Sequence, residues 1–270
     1  MGPALGDGAG TILAVWGSKG GVGTTTLAVN LAAEMAPTQR TVVVDLDFSA
    51  GDVAALLDVE PRQTMADVLR NEARLDERLL AGMVSVHPPS RLHLLAQPND
   101  LAQRVEPAGD AIARVLGVVA GAYQFALVDC GSRLDEATLT AAAVAHRMLL
   151  VTSPDVPGVR NAWRRLQLLR SMGLGTEHVQ VVVNGYDARA GGLTPDDIAR
   201  NLGRPVEVVV PHDRTVVRAV NEGKLLRAID PRTPAAVAIA GAIGAATGAA
   251  LVADTPARKR GLGWIFGRGG

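Results

Sequence analysis

The stretch WGSKGGVGTTTLAVN, residues 16–30, joins an apolar run to a helical pattern through a glycine-rich turn. The run TILAVW, residues 11–16, has the character of a strand, and residues 24–36 are predicted to form a helix. Glycines lack Cβ atoms, so successive backbone N–H groups can turn inward, with the positive end of the helix dipole behind them. The order of strand, glycine-rich turn and helix therefore predicts a phosphate-binding loop.

The loop departs from the usual phosphate-binding pattern at two positions. Ser18 replaces the first glycine, and Thr24 replaces the lysine expected after the last one. Loss of that lysine's hydrogen bond to phosphate costs about 1.5–3 kcal/mol, so we expect binding to survive and hydrolysis to be slow. Thr25 stands where a hydroxyl would ligate Mg²⁺. The predicted nucleotide-contacting residues of the loop are Gly20, Gly21, Val22, Gly23, Thr24, Thr25 and Thr26.

Apolar, largely β-branched runs recur along the chain between helical patterns such as 107–121 and 157–172. Strands that are apolar throughout belong to parallel sheets covered on both faces. We therefore predict an α/β fold, a doubly wound, mostly parallel sheet with ligands at the carboxyl ends of its strands. The predicted strands are 11–16, 40–47, 91–96, 124–129, 146–152, 178–184 and 205–210.

Three regions are expected: a flexible N-terminus at 1–10, one domain at 11–252, and a basic, aromatic tail at 253–270. The uncharged, alanine-rich stretch 233–253 has nearly the length of a membrane span, but it contains few large apolar side chains. We expect it to pack as a final helix, with Val237, Ala240, Ile243 and Ala250 on its apolar face.

The composition limits the classes of function. Lys plus Arg and Asp plus Glu both total 27, so the zero net charge argues against a nucleic-acid partner. Cys130 is the single cysteine, which excludes a disulfide framework within the chain and suits a core thiol. The first ten residues lack the basic and apolar regions of a signal peptide, so a cytoplasmic location is expected.

The motif KGGVG followed by threonines resembles the deviant Walker A loop of the MinD/ParA family of P-loop ATPases, and the similarity extends over about residues 11–230. The resemblance implies ATP and Mg²⁺ as ligands and a homodimer formed on ATP binding. Lys19 matches the family's signature lysine, which reaches across the dimer to the partner's phosphates.

Further implied site residues follow the predicted strands. In VVVDLD, Asp47 matches the aspartate that positions the attacking water, and Asp45 the one near Mg²⁺. Asp129, in FALVDCG, matches the Walker B carboxylate that holds Mg²⁺. In the last two strands, Asn184 matches an asparagine that pairs with adenine, while Pro211 and Asp213 match a stretch that closes over the base and ribose.

Three segments look most like the CpaE/TadZ branch, which positions Tad-type pilus machinery: GSKGGVGTTTLAVNLA, DLDFSAGDVAALLDVEPRQTMADVL and LDEATLTAAAVAHRMLLVTSPD. That branch implies pilus or secretion assembly proteins as partners. The alternatives are a MinD-like septum-site regulator and a ParA-like DNA-partitioning ATPase. The second would need a basic surface, to which Arg160, Arg164, Arg165 and Arg170 would contribute.

The tail ARKRGLGWIFGRGG, residues 257–270, interleaves basic and large apolar residues. One copy would bind an anionic membrane weakly, whereas two copies on a dimer would bind more strongly through avidity. A peripheral position at the inner face of the cell membrane is thus predicted, and a plain solvated tail is the alternative.

Overall fold

The computed structural model describes residues 10–247. Within this range eight strands form one sheet in the order β3-β4-β2-β5-β1-β6-β7-β8, parallel throughout except for the antiparallel pair β3 and β4. The strands are β1 (Thr11–Gly17), β2 (Thr41–Asp45), β3 (Ser85–His87), β4 (Leu92–Leu95), β5 (Phe125–Asp129), β6 (Arg147–Thr152), β7 (Val179–Tyr186) and β8 (Val208–Pro211).

Helices connect these strands across both faces of the sheet. Two short 3₁₀ turns, Glu72–Arg74 and Leu101–Gln103, supplement them. The helices are α1 (Thr24–Met35), α2 (Val53–Leu56), α3 (Met65–Arg70), α4 (Glu77–Met83), α5 (Gly109–Ala122), α6 (Glu136–Val144), α7 (Val156–Ser171), α8 (Pro195–Leu202), α9 (Arg214–Asn221), α10 (Leu226–Ile229) and α11 (Pro234–Thr247).

The central strand β1 shows why the strands are apolar throughout. Ile12 and Trp16 belong to the core shared with α5, α6 and α7, whereas Leu13 and Val15 belong to the core shared with α1 and α11. Alternate side chains of a strand point to opposite faces, so a strand covered on both sides has no polar face. The predicted doubly wound α/β architecture is confirmed.

The sequence prediction missed β3, a three-residue strand too short to give a periodic signal. The last strand also begins later than predicted, at Val208 instead of residue 205. The Glu207 carboxylate accepts a hydrogen bond from the Val181 N–H at 2.6 Å and so takes the donor that a pairing strand would use. Side-chain competition therefore sets this strand boundary.

The final helix α11 packs on β8 and α1, as expected, but through a different face. The buried residues are Ala235, Ala236, Ile239, Ala242 and Ala246, while Val237 is 57% exposed. Small alanines allow close approach to the sheet, which a face of larger side chains would prevent. No helix within residues 10–247 is long and apolar enough to cross a membrane. Residues 1–9 of the predicted N-terminal region 1–10, the predicted face residue Ala250 and the tail 253–270 lie outside the described residues.

Candidate functional site

A cavity of about 620 Å³ lies at the carboxyl ends of β1, β2 and β5. Its floor is the loop that joins β1 to α1, and most of the predicted loop residues line it: Lys19, Gly20, Gly21, Gly23, Thr24, Thr25 and Thr26. One wall is the switch loop, which we define as residues 47–51 between β2 and α2. Val22 is buried beneath the loop. The location follows the rule that parallel sheets bind ligands at their carboxyl edge.

The phosphate-binding loop is anchored to the loop that follows β5 and to the strand β6. Gly17 N–H donates to the Gly131 carbonyl at 2.8 Å, and Ser18 N–H donates to the Val151 carbonyl at 2.7 Å. The fully buried Ser18 hydroxyl bonds to Thr152 Oγ1 at 3.1 Å. Ser18 is compatible with the loop because its side chain points into the protein and leaves the phosphate-facing backbone uncovered.

Gly23 provides a mutational test of the loop. Its φ is +85°, and a Cβ added there would lie 2.3 Å from Asn184 Nδ2, the atom that donates to the Val22 carbonyl at 2.7 Å. We expect Gly23→Ala to weaken nucleotide binding at least about tenfold, since it adds this clash to a backbone strain of about 1–2 kcal/mol. Titration with a fluorescent ATP analogue measures the loss.

Gly21→Ala is the matched control, because Gly21 has a similar φ of +77° but open space around the added Cβ. It should weaken binding clearly less than Gly23→Ala. Equal losses in the two variants would show that strain alone, and not the contact with Asn184, limits position 23.

Lys19 is held by an ion pair within its own chain. Its Nζ lies 2.8 Å from Oδ2 of Asp155, and the Lys19 side chain remains 35% exposed. Asp155 also caps α7 through the Gly158 N–H and accepts from the Ser153 hydroxyl. Partial burial opposes ionisation, but the bonds from Lys19 and Ser153 outweigh it and lower the pKa of Asp155. Asp155 follows the predicted strand 146–152, but no pattern in the sequence pairs it with Lys19.

Asp45 and Asp129 are fully buried and lie opposite each other in the register of β2 and β5. Burial raises the pKa of both carboxyls, that of Asp129 to about 6. Asp129 Oδ1 accepts from the Gly131 N–H at 3.0 Å, whereas Oδ2 is buried with no hydrogen-bond partner among the described residues. The Thr25 hydroxyl is close enough to lower the pKa of Asp129. A buried carboxylate oxygen without a partner, next to a hydroxyl, fits a Mg²⁺ site.

Asp45 differs from Asp129 because both of its oxygens are already used. Oδ1 accepts from the Asp47 N–H at 3.0 Å, and Oδ2 accepts from the Val53 N–H at 3.3 Å. These bonds fix the two ends of the segment between β2 and α2. A direct metal contact would have to compete with them, so the predicted role of Asp45 near Mg²⁺ stays a prediction.

Asp47 lines the cavity, with one oxygen bonded and the other directed toward the neighbouring loop. Oδ1 accepts from the Ser49 and Ala50 N–H groups, each at 3.0 Å. Oδ2 lies so close to Gly131 that a Cβ added there would be 2.2 Å away. Gly131, whose φ is +55°, has no Cβ and so allows this approach.

The other predicted nucleotide contacts do not line the cavity. Asn184 lies behind the loop and supports Val22, while Pro211 ends β8. Asp213 is the N-cap of α9 and accepts from Thr215 N–H at 2.8 Å and from Ala235 N–H at 3.3 Å. Their roles at the base and ribose stay predictions. The cavity is also lined by residues that the sequence prediction did not assign. Five of them follow predicted strands, and tertiary packing brings in three more: Ser49, Ala50, Asp52, Gly131 and Ser132, then Ala55, Leu56 and Val220.

One arginine expected on a basic surface is instead part of the support of the site. Arg165 stacks over the Trp16 ring at 4.8 Å and donates to the Ser132 carbonyl at 2.7 Å. Burial lowers the pKa of Arg165 to about 10. The assignment of Arg165 to a nucleic-acid surface was therefore wrong, whereas Arg160, Arg164 and Arg170 are exposed on α7.

Comparisons with known proteins agree with this site. A family model described as an AAA domain (AAA_31) matches residues 10–172, more than half of the chain. The septum site-determining protein MinD of Thermotoga maritima is 26% identical over 221 residues, which cover 79% of this chain and 80% of the relative.

Solved structures extend the match to the fold. A ParA family ATPase from Chlorobium tepidum superimposes with a TM-score of 0.80 at 23% identity and covers 86% of this chain and 98% of its own. MinD of Pyrococcus horikoshii, solved with Mg-ADP, superimposes with a TM-score of 0.75 at 21% identity and covers 85% of this chain and 93% of its own. With a nucleotide-sized cavity on the predicted loop, these matches place the chain in the MinD/ParA family of P-loop ATPases.

Proposed function

We propose that the protein is a slow, ATP-dependent dimerising switch. The observation that carries the proposal is Lys19, which lies on the rim of the cavity, partly exposed, and pairs with Asp155. A lysine placed there can exchange the Asp155 carboxylate for a phosphate of a second subunit, since both are anions that accept charge-assisted hydrogen bonds. The ion pair then holds the lysine in the monomer, and dimerisation releases it.

The remaining site residues have complementary proposed tasks. The backbone N–H groups of the loop cradle the phosphates of ATP, and Thr25 with Asp129 holds Mg²⁺. Bound Mg²⁺ supplies a positive charge that offsets the charge developing on the phosphate oxygens. Asp47, with one oxygen fixed by its own loop, orients a water molecule through the other. Hydrolysis removes the ligand that links the subunits and so ends the dimer.

Titration of ATP and ADP by calorimetry, with and without Mg²⁺, tests the nucleotide part of the proposal. We expect both nucleotides to bind and ATP alone to raise the mass in light scattering to twice the 28.0 kDa monomer. A chain that binds neither nucleotide, or that stays monomeric with ATP, contradicts the proposal.

The missing second lysine predicts a gain of function. Thr24, 6% exposed, borders the cavity at the position where the usual loop pattern has that lysine. We expect Thr24→Lys to speed phosphate release about tenfold to a thousandfold, since a cation there meets charge that develops in the transition state. Thr24→Met has a comparable unbranched side chain without the charge. A Thr24→Lys protein no faster than Thr24→Met would refute the assignment.

The biological process is a second level of the proposal. The relative and one of the structures compared above are MinD proteins, so they favour a septum-site regulator over the pilus-assembly role that the sequence motifs suggested. A pilus or secretion partner stays a prediction. Depletion in cells distinguishes the two, since loss of a septum-site regulator gives misplaced divisions, and loss of a pilus factor gives normal division with fewer pili.

We further propose that the tail 257–270 brings the ATP-bound dimer to the inner face of the cell membrane. Its basic and aromatic residues suit an anionic lipid surface, and two copies bind together. Vesicles with a quarter of anionic lipid should sediment the full chain with ATP and leave a chain ending at residue 256 in solution. Equal sedimentation of both chains would contradict a membrane role for the tail.

A further inference from the structure

The backbone N–H groups and the backbone carbonyl groups of the switch loop have their hydrogen-bond partners on opposite sides of the loop. On the cavity side, Asp47 Oδ1 accepts from the Ser49 and Ala50 N–H groups. On the far side, the carbonyl oxygens of Phe48, Ser49 and Ala50 converge on one guanidinium group, that of Arg104. Arg104, more than fifty positions later in the chain, therefore stabilises the loop conformation in which Asp47 lines the cavity.

The contacts of Arg104 use most of the donors of its side chain. Nη1 donates to Phe48 O at 3.2 Å and to Ser49 O at 2.6 Å, and Nη2 donates to Ala50 O at 2.7 Å. Nε donates to Pro98 O at 3.3 Å, which ties the side chain to its own segment. Among residues 10–247, Arg104 has no carboxylate partner within ion-pair distance. Its hydrogen-bonding capacity is thus directed to carbonyl oxygens.

The segment that carries Arg104 is itself fixed to the end of β2. The fully buried Gln97 donates from Nε2 to the Asp45 carbonyl at 2.7 Å. Gly51, with φ of +68°, allows close contact, because a Cβ there would lie 2.6 Å from Gln97 Cβ and 3.0 Å from Arg104 Nη2. Residues 97–104 therefore form a bracket around the switch loop.

We infer that Arg104 is a positioning residue for hydrolysis: it fixes the switch loop in the conformation in which Asp47 lines the cavity. The inference rests on the proposed function, in which Asp47 orients the attacking water. A planar guanidinium can meet three carbonyls of one turn at once, and a lysine ammonium cannot reproduce that fork. Arg104→Lys therefore keeps the charge and removes the geometry.

The experiment combines a readout without nucleotide and one with it. Hydrogen exchange of the nucleotide-free full chain, followed in a peptide covering residues 46–53, should be at least about tenfold faster in Arg104→Lys, since the loop loses several charge-assisted bonds. Single-turnover phosphate release should fall about tenfold, because the variant loses the geometry of the switch loop. The Kd for an ATP analogue should change less than about twofold, because the contacts to phosphate are kept.

Arg70→Lys is the matched control. Arg70 is exposed and donates to the Gln103 carbonyl, so it touches the same segment without touching the switch loop. It should match the wild type in exchange, binding and hydrolysis. The inference is overturned if exchange of 46–53 is unchanged in Arg104→Lys, if Arg70→Lys speeds it equally, or if Arg104→Lys loses protection across the whole sheet.

The proposed hydrolysis and the role of Arg104 can be rejected separately. If the wild type binds ATP but releases no phosphate, the proposed hydrolysis fails, and exchange in the nucleotide-free protein alone decides whether Arg104 fixes the loop. If hydrolysis is present and Arg104→Lys leaves both exchange and phosphate release unchanged, the proposed function survives and the role of Arg104 is rejected.

Discussion

Lys19→Ala should remove ATP-dependent dimerisation while leaving the monomer folded and able to bind nucleotide. In the monomer the side chain contacts Asp155, a half-exposed pair whose loss costs little stability. In the proposed dimer each lysine makes a charge-assisted bond to the partner's phosphate. Losing two such bonds weakens the dimer about 10²- to 10⁴-fold, at about 1.5–3 kcal/mol each. Sedimentation velocity with ATP and Mg²⁺ measures the change.

Lys224→Ala provides the matched control, because Lys224 is an exposed lysine paired with Glu222 at 3.0 Å and lies outside the cavity lining. It should dimerise like the wild type. If Lys19→Ala still forms the dimer with ATP at wild-type concentrations, the role of Lys19 across the dimer is wrong, whatever its effect on hydrolysis.

Asp129→Asn should stabilise the metal-free protein and at the same time abolish its tight binding of Mg-ATP. The pKa of Asp129 is raised by burial from 3.8 to about 6. Between these pH values the folded chain binds a proton that the unfolded chain does not, so stability falls as pH rises through this window. At pH 7 the charged buried carboxylate is fully destabilising, and its removal should raise the free energy of unfolding by about 3 kcal/mol.

The functional effect of Asp129→Asn has the opposite sign. The amide retains an oxygen for the Gly131 N–H but replaces the orphaned carboxylate oxygen that suits Mg²⁺. We expect Mg²⁺-dependent ATP affinity to fall about tenfold to a hundredfold, and thermal unfolding in a chelator to depend less on pH between about 4 and 6 than it does in the wild type.

Asp187→Asn is the matched control. Asp187 lies in an exposed turn away from the site, where it accepts from the Arg189 N–H, and the substitution removes the same negative charge. It should change neither property. A metal-free Asp129→Asn protein less stable than the wild type at pH 7 would show that the buried carboxylate is not strained by its desolvation.

Much of the fold could be predicted because its signals are local. The apolar runs that became β1, β2, β4, β5 and β6 begin and end within one or two residues of their predicted bounds, since strands buried on both faces leave no polar positions. Tertiary effects caused the errors. β3 is specified by pairing with β4, and the face of α11 was set by how closely alanines approach the sheet.

The site divides in the same way. The loop residues and Asp47 follow from the chain order of strand, turn and helix, and the cavity brings them together. Lys19 and Asp155, which pair, are 136 residues apart in the chain. Arg104 and the switch loop that it contacts are more than fifty residues apart. No sequence periodicity encodes such contacts, because they depend on which strand ends become neighbours in the sheet.

A mixture of Lys19→Ala and Asp47→Ala proteins tests whether Lys19 acts across the dimer. If Lys19 acts on the partner's nucleotide, a mixed dimer has one site with both residues intact, because the Lys19→Ala subunit keeps Asp47 and receives Lys19 from its partner. At protein concentrations that saturate dimer formation, the mixture should then regain phosphate release up to roughly a quarter of the wild-type rate, although each variant alone is inactive. A mixture no more active than the separate variants would contradict a switch built on exchange of Lys19 between subunits.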